Sequence, residues 1–490
     1  MKKLLLLISC FVVSNSQAEL LQKENWRFPY YLLASEMEYA EKTSSSGMFW
    51  DGVGSANLFE NSLWQDSARL HKNHWFFEPS LNYGFVSDPP ESQESGLWKM
   101  TVLNSLTYKN LIIRQTLHAD KMYEYDEAYP AHKERGARGR IEEAFLQVNW
   151  KYGFFRLGRM ERNWGPFPDR SLFLSSNPYT YDAFEWQIQS SFFEFRHLFA
   201  AFPFEKSNMD TDGRLIGRYL TAHTLNLMLG KWATIGVFES VLFTRDNGLP
   251  DLSYVNPVSV YTVINTNQEG VGNLMLGLQW NIHPFTDNIS LRGQIVWDDF
   301  QVDNEVATDK EPAHWGLDMG LYWRNPIPWQ LKNSVKLEYN LQSKWLYTVT
   351  DYNTATGERY TYLTKSLGAA ENDGYRISAG FDVVGKKYWA ASIVTGYNVR
   401  GGNTPCSRWN DSNHFSGLPF DSLLLPSEKK IDCGFNLYTY FKDFANLRLT
   451  FNNIWVLNEH NTKTKGYEYK PQIQAELSIH FSDLIVKLPD

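Results

Sequence analysis

The chain has 490 residues, with 47 Lys and Arg against 55 Asp and Glu, a formal net charge of −8. That acidic balance argues against a nucleic-acid partner. Mean hydropathy is −0.42 although 16% of residues are aromatic, and past the first few residues no run of 18 apolar residues occurs, which excludes a membrane-spanning helix. Two classes fit: a large secreted β protein, or an outer-membrane barrel with aromatic girdles.

The first 18 residues, MKKLLLLISCFVVSNSQA, join a basic start (Lys2, Lys3) to an apolar run from Leu4 to Val13 and a Ser-Gln-Ala end. This order predicts a secretory signal peptide cleaved after Ala18. A rival reading takes Leu7-Ile8-Ser9-Cys10 as a lipidation box, but cleavage there would leave hardly any apolar region. Without the leader, 45 basic residues face 55 acidic ones. In the segment 19–73, Tyr30, Leu33, Met37 and Ala40 follow Pro29 at helical spacing, so a short helix is expected, with a role as periplasmic segment or small plug.

From His74 to Phe481 the dominant pattern has period two. In Asn273–Trp280, Leu274, Leu276, Leu278 and Trp280 share a face. In Ile289–Asp298, Ile289, Leu291, Ile295 and Trp297 oppose Ser290, Arg292, Gln294 and Asp298. Leu331–Asn340 and Asn446–Asn452 alternate similarly, and Gln472–Phe481 alternates without an error. Such runs are strands with one apolar and one polar face, long enough at a steep tilt to cross a bilayer.

About 18 strands fit between residues 74 and 481, a size known among outer-membrane barrels. Tight turns fall near Tyr108–Asn110, Lys151–Gly153, Ser190–Ser191, Gly230–Lys231, His283–Asn288, Asn325–Pro328, Gly385–Lys387 and Lys442–Ala445. Long segments lie between them: 87–95, 125–140, 161–182, 204–213, 245–269, 302–312, 342–372, 399–431 and 459–467. Short turns on one side and long loops on the other predict an all-β fold, a transmembrane antiparallel β-barrel over 74–490 with its short turns in the periplasm. The final strand should close the barrel on the first, which leaves the tail SDLIVKLPD without a role. Cys406 and Cys433 form an even pair in an oxidising compartment, so a disulfide is expected, worth about 3–4 kcal/mol in the chain-entropy model.

The least strand-like segment is FFRLGRMERNWGPFPDRSLFLSSNPYTYDAF, 154–184. Irregular backbone at membrane depth must turn inward. Arg156, Arg159, Arg162 and Arg170 with Asp169 and Asp182 suggest an ion network in the lumen. Trp164, Phe167, Tyr179 and Tyr181, with Asn177, offer flat faces and amides of the kind that bind sugars. Two readings stand: a constriction held by salt bridges, or a glycan contact. In DLSYVNPVSVY, Asn256-Pro257 marks a turn in a long loop that ends at Tyr261. Asp298 and Asp299 end a strand side by side; as an acid/base pair they would point to opposite faces unless a bulge intervenes. Asp210-Thr-Asp212-Gly213 reads as an acidic turn rather than a calcium loop, because it lacks the later bidentate Glu. No spacing typical of a zinc, nucleotide or serine-hydrolase site occurs, and no cofactor is expected.

LGRMERNWGPFPDRSLFLSSNPYTYDAF resembles a block of the outer-membrane capsule-assembly family typified by Wzi. LSYVNPVSVY is similar to that family's Asn-Pro segment, and NLMLGLQWNIHPFTDNISLRGQIVWDDFQVD to its strand–turn–strand ending in Asp-Asp-Phe. These blocks span roughly residues 150–302. The resemblance implies an 18-stranded barrel that helps hold capsular polysaccharide at the cell surface by binding rather than catalysis. Gly158, Arg159, Trp164, Gly165, Pro166, Ser175, Asn177, Asn256, Pro257, Asp298 and Asp299 are the family-like positions. The family's better-known members carry a helical bundle ahead of the barrel, and 19–73 has room for little more than one helix.

The expectation is a monomeric outer-membrane barrel that binds or organises surface polysaccharide. The candidate glycan-binding or lumen-lining residues are Arg159, Arg162, Trp164, Asp169, Asn177, Tyr181, Asn256, Tyr261, Asp298 and Asp299. One rival is a passive diffusion porin. Another is an outer-membrane enzyme acting on lipid or glycan, for which the strands offer His223 and His480 but no identifiable nucleophile.

Overall fold

The computed structural model describes residues 73–87, 94–126, 128–129, 138–167, 170–202, 217–230, 232–245, 249–267, 272–299, 312, 314–350, 357–385, 389–409, 426–441, 445–481 and 484–487. The expectations for 1–18, for 19–73 apart from Asn73, and for Asp169, Asp210 and Asp212 lie outside these residues.

Eighteen long strands build the wall. They are β1 (His74–Val86), β2 (Gly96–Tyr108), β3 (Leu111–Asp120), β4 (Gly139–Trp150), β5 (Gly153–Met160) and β6 (Tyr181–Gln189). Then come β7 (Phe193–Phe202), β8 (Gly217–Leu229), β9 (Ala233–Arg245), β10 (Gly272–Ile282), β11 (Ile289–Asp299) and β12 (His314–Arg324). The last six are β13 (Lys332–Gln342), β14 (Gly374–Val384), β15 (Trp389–Arg400), β16 (Glu428–Phe441), β17 (Ala445–Leu457) and β18 (Glu468–His480). Each pairs antiparallel with the next, and β18 pairs back onto β1 from Ser80↔His480 to Val86↔Gln474, so the sheet closes. Every predicted tight turn joins two of these strands. Among the described residues no helix is long and apolar enough to cross a membrane; the strands do the crossing.

Closure follows from solvent. In hydrocarbon an unpaired N–H or C=O has no partner, so an open edge is forbidden. Alternation then decides what each face meets. On β8, Leu225, Leu227 and Leu229 point outward and are exposed, while Thr224, Asn226 and Met228 are buried inside. Outward aromatics collect at two levels. Tyr108, Trp150, Tyr152, Phe192, Trp232 and Trp329 ring the short-turn end; Tyr83, Trp98, Trp455 and Tyr469 sit near the other. Trp98 and Tyr108 are ends of one strand. At about 3.3 Å per residue and a tilt near 40°, the ten-residue step between them rises about 25 Å, the height of an outer-membrane apolar band.

The tail after Phe481 has a place. Leu484–Lys487 continues β18 and pairs with Phe77–His74. The register shifts by one between Phe77↔Leu484 and Ser80↔His480, across Pro79. Pro79 accepts from the Phe481 N–H at 3.1 Å but has no N–H to return, so the ladder bulges at that step. The bulge hides the tail's strand character from a search for unbroken alternation.

The expected disulfide between Cys406 and Cys433 is not formed. Cys433 sits in the middle of β16, paired across to Thr395 and Asn453, on the outward face it shares with Ile431 and Phe435. Cys406 lies in the loop before that strand and its thiol points at the Thr364 carbonyl, 3.2 Å away. Even spacing and compartment could not reveal that one partner faces out of the wall.

Removing residues 482–490 should strip the β1 edge of its last partner. At about 1 kcal/mol per main-chain hydrogen bond, the loss is a few kcal/mol. The truncated barrel should unfold at lower temperature than the full chain in detergent, read by the temperature at which its compact gel migration disappears. An unchanged midpoint would count against this closure.

Candidate functional site: two loops inside the barrel

The segment predicted to leave the wall does so. After β5 the chain turns inward at residue 161 and rejoins the sheet at Tyr181. Within it the Trp164 N–H donates to the Leu174 carbonyl at 2.7 Å and pins the fold. The Ser171 hydroxyl donates to the Trp164 carbonyl at 2.7 Å, and the Asn163 amide donates to the Phe167 carbonyl at 2.8 Å. Leu172, Phe173, Leu174 and Phe167 are fully buried. Phe173 stacks on the inward Phe238 of β9 at 4.2 Å between centroids.

A second loop, 343–373, meets the first. The Ser175 N–H donates to the Leu367 carbonyl at 2.7 Å, and the Tyr347 hydroxyl donates to the Leu172 carbonyl at 2.7 Å. The Asn177 amide donates to the Ser366 carbonyl at 3.0 Å. Gly368 sits where the loops touch: a Cβ there would collide with the Leu172 carbonyl and the Tyr347 hydroxyl. Trp345, Leu346, Tyr347, Tyr360 and Leu367 are buried in this seam.

Backbone that is neither strand nor helix needs partners, and inward side chains of the wall supply them. Gln294 of β11 accepts from the Leu172 N–H at 2.6 Å. Asp298, on the same strand, accepts from the Tyr347 N–H at 2.6 Å. Arg218 of β8 donates to the carbonyls of Gly357, Arg359 and Thr361 at 2.6, 3.2 and 3.0 Å. Replacing any of these would leave a buried main-chain group unsatisfied, at about 1–3 kcal/mol.

The arginines divide between the lumen and the outer face. Arg162 is buried on Glu185 (3.4 Å), donates to the Met160 and Tyr181 carbonyls, and lies 4.6 Å over the Tyr181 ring. Arg170 pairs with Glu338 at 3.0 Å and Asp318 at 3.5 Å. Arg156 is buried inside and bonds Gln147. Arg159 is a correction to the expected lumen network. It follows Phe155 and Leu157 on the outward face and pairs at 2.7 Å with Asp182, itself mostly exposed.

The other candidates also separate. Trp164 and Tyr181 are 2% and 3% exposed, packed in the lumen core with no face free for a sugar ring. Asn177 is a tie between the two loops. Asp298 serves the Tyr347 N–H, and a bulge does interrupt the end of its strand, shifting the register between Trp297 and Asp299 so that Asp299 lies opposite His314. Asn256 and Tyr261 leave the lumen altogether. They belong to two short helices, α1 (Leu252–Val255) and α2 (Tyr261–Asn267), that pack on the outside of β8–β10. Asn256 is exposed as the C-cap of α1, and Tyr261 is buried with its hydroxyl 2.8 Å from Thr221. His223, the enzyme reading's histidine, stands beneath this cover with Glu239 at 3.0 Å.

A cluster at the loop end was missed from the sequence. Tyr123 and Tyr129 stack at 4.6 Å, with Tyr179 edge-on. Arg140 and Lys365 lie over the Tyr179 ring at 4.5 and 4.4 Å. Lys365 pairs with Asp126 at 2.6 Å, and the Tyr179 hydroxyl donates to the same carboxylate. Burial pushes the Asp126 carboxyl up, but Lys365 and Tyr179 outweigh it and hold the group below the usual range. Nothing in local spacing joins Tyr123 to Lys365. Among the described residues no group of three His, Cys, Asp or Glu side chains could hold a metal ion.

These features define a closed outer-membrane-type β-barrel with two loops packed in its lumen. No protein-family model and no curated protein sequence matches the chain. Among solved structures it is similar to Wzi, an Escherichia coli outer-membrane protein involved in group 1 capsule assembly and described as a carbohydrate-binding β-barrel. The TM-score is 0.56 at 11% identity, over 91% of this chain and 92% of that one. A variant of OccD1 (OprD) matches at TM-score 0.46 and 10% identity, over 85% and 96% of the two chains. OccAB4 of Acinetobacter baumannii matches at 0.46 and 9%, over 84% and 98%. The shared barrel fold with Wzi agrees with the resemblance read from the sequence.

Glu161, where the chain turns inward, offers a pH test. Burial and the nearby Glu143 carboxylate push its carboxyl up to about 7, against a donor from Ser176. A raised carboxyl favours the fold below its unfolded value of about 4.5, and that contribution is lost as pH climbs through 7. The wild-type unfolding temperature should therefore fall between pH 5 and pH 8, and Glu161→Gln should flatten that slope. Parallel slopes for both proteins would contradict the assignment.

Proposed function

We propose that this chain is a non-catalytic outer-membrane barrel that binds or organises polysaccharide at the cell surface. The observation that carries the reading is the zipped pair of loops, 161–180 and 343–373, packed against the inner wall by Gln294, Asp298 and Arg218. A diffusion channel needs its lumen clear; here much of it is filled by aromatic side chains that make their own core. A filled barrel still presents a broad rim to the outside, where long loops carry amides, carboxylates and paired cations. The fold shared with Wzi, itself named as carbohydrate-binding, supports the same reading.

In this reading the leader over residues 1–18 exports the chain and is removed, 19–73 remains on the periplasmic side, and a monomer sits in outer-membrane lipid. Because Trp164, Tyr181 and Arg162 are committed to internal packing, sugar contacts fall to the rim around the loops. Each contact is weak, and a repeating polymer gains avidity from many.

The test has two arms. In planar bilayers the intact protein should give no large steady ohmic steps, whereas a variant lacking residues 345–369 should conduct. Immobilised protein should retain the host's own surface polysaccharide. Large steady conductance by the intact chain, with no polysaccharide retained, would replace this reading with the porin.

A further inference from the structure

The described part of the connection between β9 and β10, residues 249–267, does not project from the rim. It folds back over the outer wall. On β8 and β9 the outward positions are the odd-numbered ones: Leu225, Leu227, Ile235 and Val237 are exposed toward the surroundings of the barrel. Continuing up the same faces come Thr221, His223 and Glu239, then Tyr219, Val241 and Phe243, all of which are covered. The cover is α1 and α2: Tyr254 and Tyr261 are fully buried against Phe243, Val241 and Tyr219.

What holds the cover is polar. Glu239 accepts from the Tyr261 and Thr262 N–H groups at 2.7 and 3.2 Å and from the Thr262 hydroxyl at 2.9 Å. Those amides open α2, so a wall carboxylate caps the helix where its unpaired donors lie. His223 holds the same carboxylate at 3.0 Å, and the Tyr261 hydroxyl meets Thr221 at 2.8 Å. Glu239 lies seven residues above the girdle residue Trp232. At about 3.3 Å per residue and 40° of tilt that is about 18 Å up, inside an apolar band about 25 Å tall. Uncovered, a carboxylate and an imidazole would face hydrocarbon at that height.

The outer surface of the cover is mostly apolar, with Asn256, Thr266 and Asn267 as its exposed polar residues. Leu252 is 78% exposed and Val258 84%, and Val260 and Val263 are exposed by more than half. From Leu252 to Gln268 the sequence holds 17 residues without one Asp, Glu, Lys, Arg or His. Water-facing loops do not read this way, and neither do the other long loops of this chain. Lower on the same outward faces, Ile235, Val237 and Leu278 are exposed as part of the lipid-facing band.

We propose that α1 and α2 form an external strap that inserts Leu252, Val258, Val260 and Val263 among the acyl chains of the outer leaflet and seals the Glu239–His223 pair from lipid. The occupant of the apolar face is hydrocarbon. The exposed apolar band lower on the same wall, the absence of charge and the height on the wall all select it over a soluble partner. The strap also gives Asn256 and Tyr261 a role apart from sugar.

The inference rests on the barrel being embedded in a membrane, and the experiment separates the two ideas. The full chain, with Cys406→Ser and Cys433→Ala, would carry one nitroxide at Val258→Cys, Val237→Cys or Gly466→Cys, in vesicles of outer-membrane phospholipid and lipopolysaccharide. Collision with oxygen and with a water-soluble nickel chelate is then measured by electron paramagnetic resonance. The label at 258 should match the lipid-band label at 237, favouring oxygen, while 466 favours nickel. If 258 behaves like 466 while 237 stays in lipid, the strap faces water and the proposal fails alone. A 258 label shielded from both reagents means a second copy or another protein covers the face, and likewise overturns it. If 237 itself favours nickel, the barrel is not embedded, and both ideas fail together.

Discussion

A bilayer offers no hydrogen-bond partner to a peptide group, and this chain's architecture is a response to that fact. Seventeen sequential antiparallel pairings do not suffice, because they leave two bare edges. The eighteenth, between β1 and β18, removes them, and the short extension Leu484–Lys487 carries closure past the bulge at Pro79. Once the ladder is closed, side-chain alternation settles what faces lipid and what faces the lumen. The wall then provides two kinds of surface on which irregular backbone can be satisfied.

Both surfaces are used. Inside, 161–180 and 343–373 meet each other and hand their remaining main-chain groups to Gln294, Asp298 and Arg218. Outside, α2 hands its first amides to Glu239. The device is the same: a polar side chain at an otherwise apolar or inward position of a strand ends the search of a loop for hydrogen bonds. The buried arginines extend it. Arg162 is held by Glu185, two carbonyls and the Tyr181 face, so its charge is paired on every side that the lumen core closes off. A fixed core of this kind suits the proposed binding at the exterior rim.

Much of this was legible from residues. Strand number, each tight turn and the inward departure near Trp164 follow from period-two alternation and its interruption, because lipid enforces that pattern with few exceptions. Parity also held the answer for Arg159: counted from Phe155 and Leu157 it faces out, though its neighbours in a dense arginine segment suggested the lumen. What spacing could not give was the direction in which a loop folds. The segment 342–372 read as a long loop between strands, yet Tyr347 and Tyr360 belong to the lumen core. The segment 245–269 read as another, yet its described part, 249–267, lies on the outer wall. Such choices depend on tertiary pairings, such as Leu172 with Tyr347, 175 residues apart, and Tyr261 with Glu239, and no local signal encodes them. The thiol pair failed for a related reason, since compartment and count say nothing about which face a mid-strand cysteine occupies.

The central claim is that the two lumen loops are one fixed structure rather than mobile connections. Amide hydrogen exchange on the folded protein in detergent tests it directly, because it reports each N–H separately. The amides of Leu172, Ser175 and Tyr347 should exchange as slowly as those in the middle of β9 and β11. Exchange of those three at the rate of the exposed turn at Thr286–Asn288 would contradict the account.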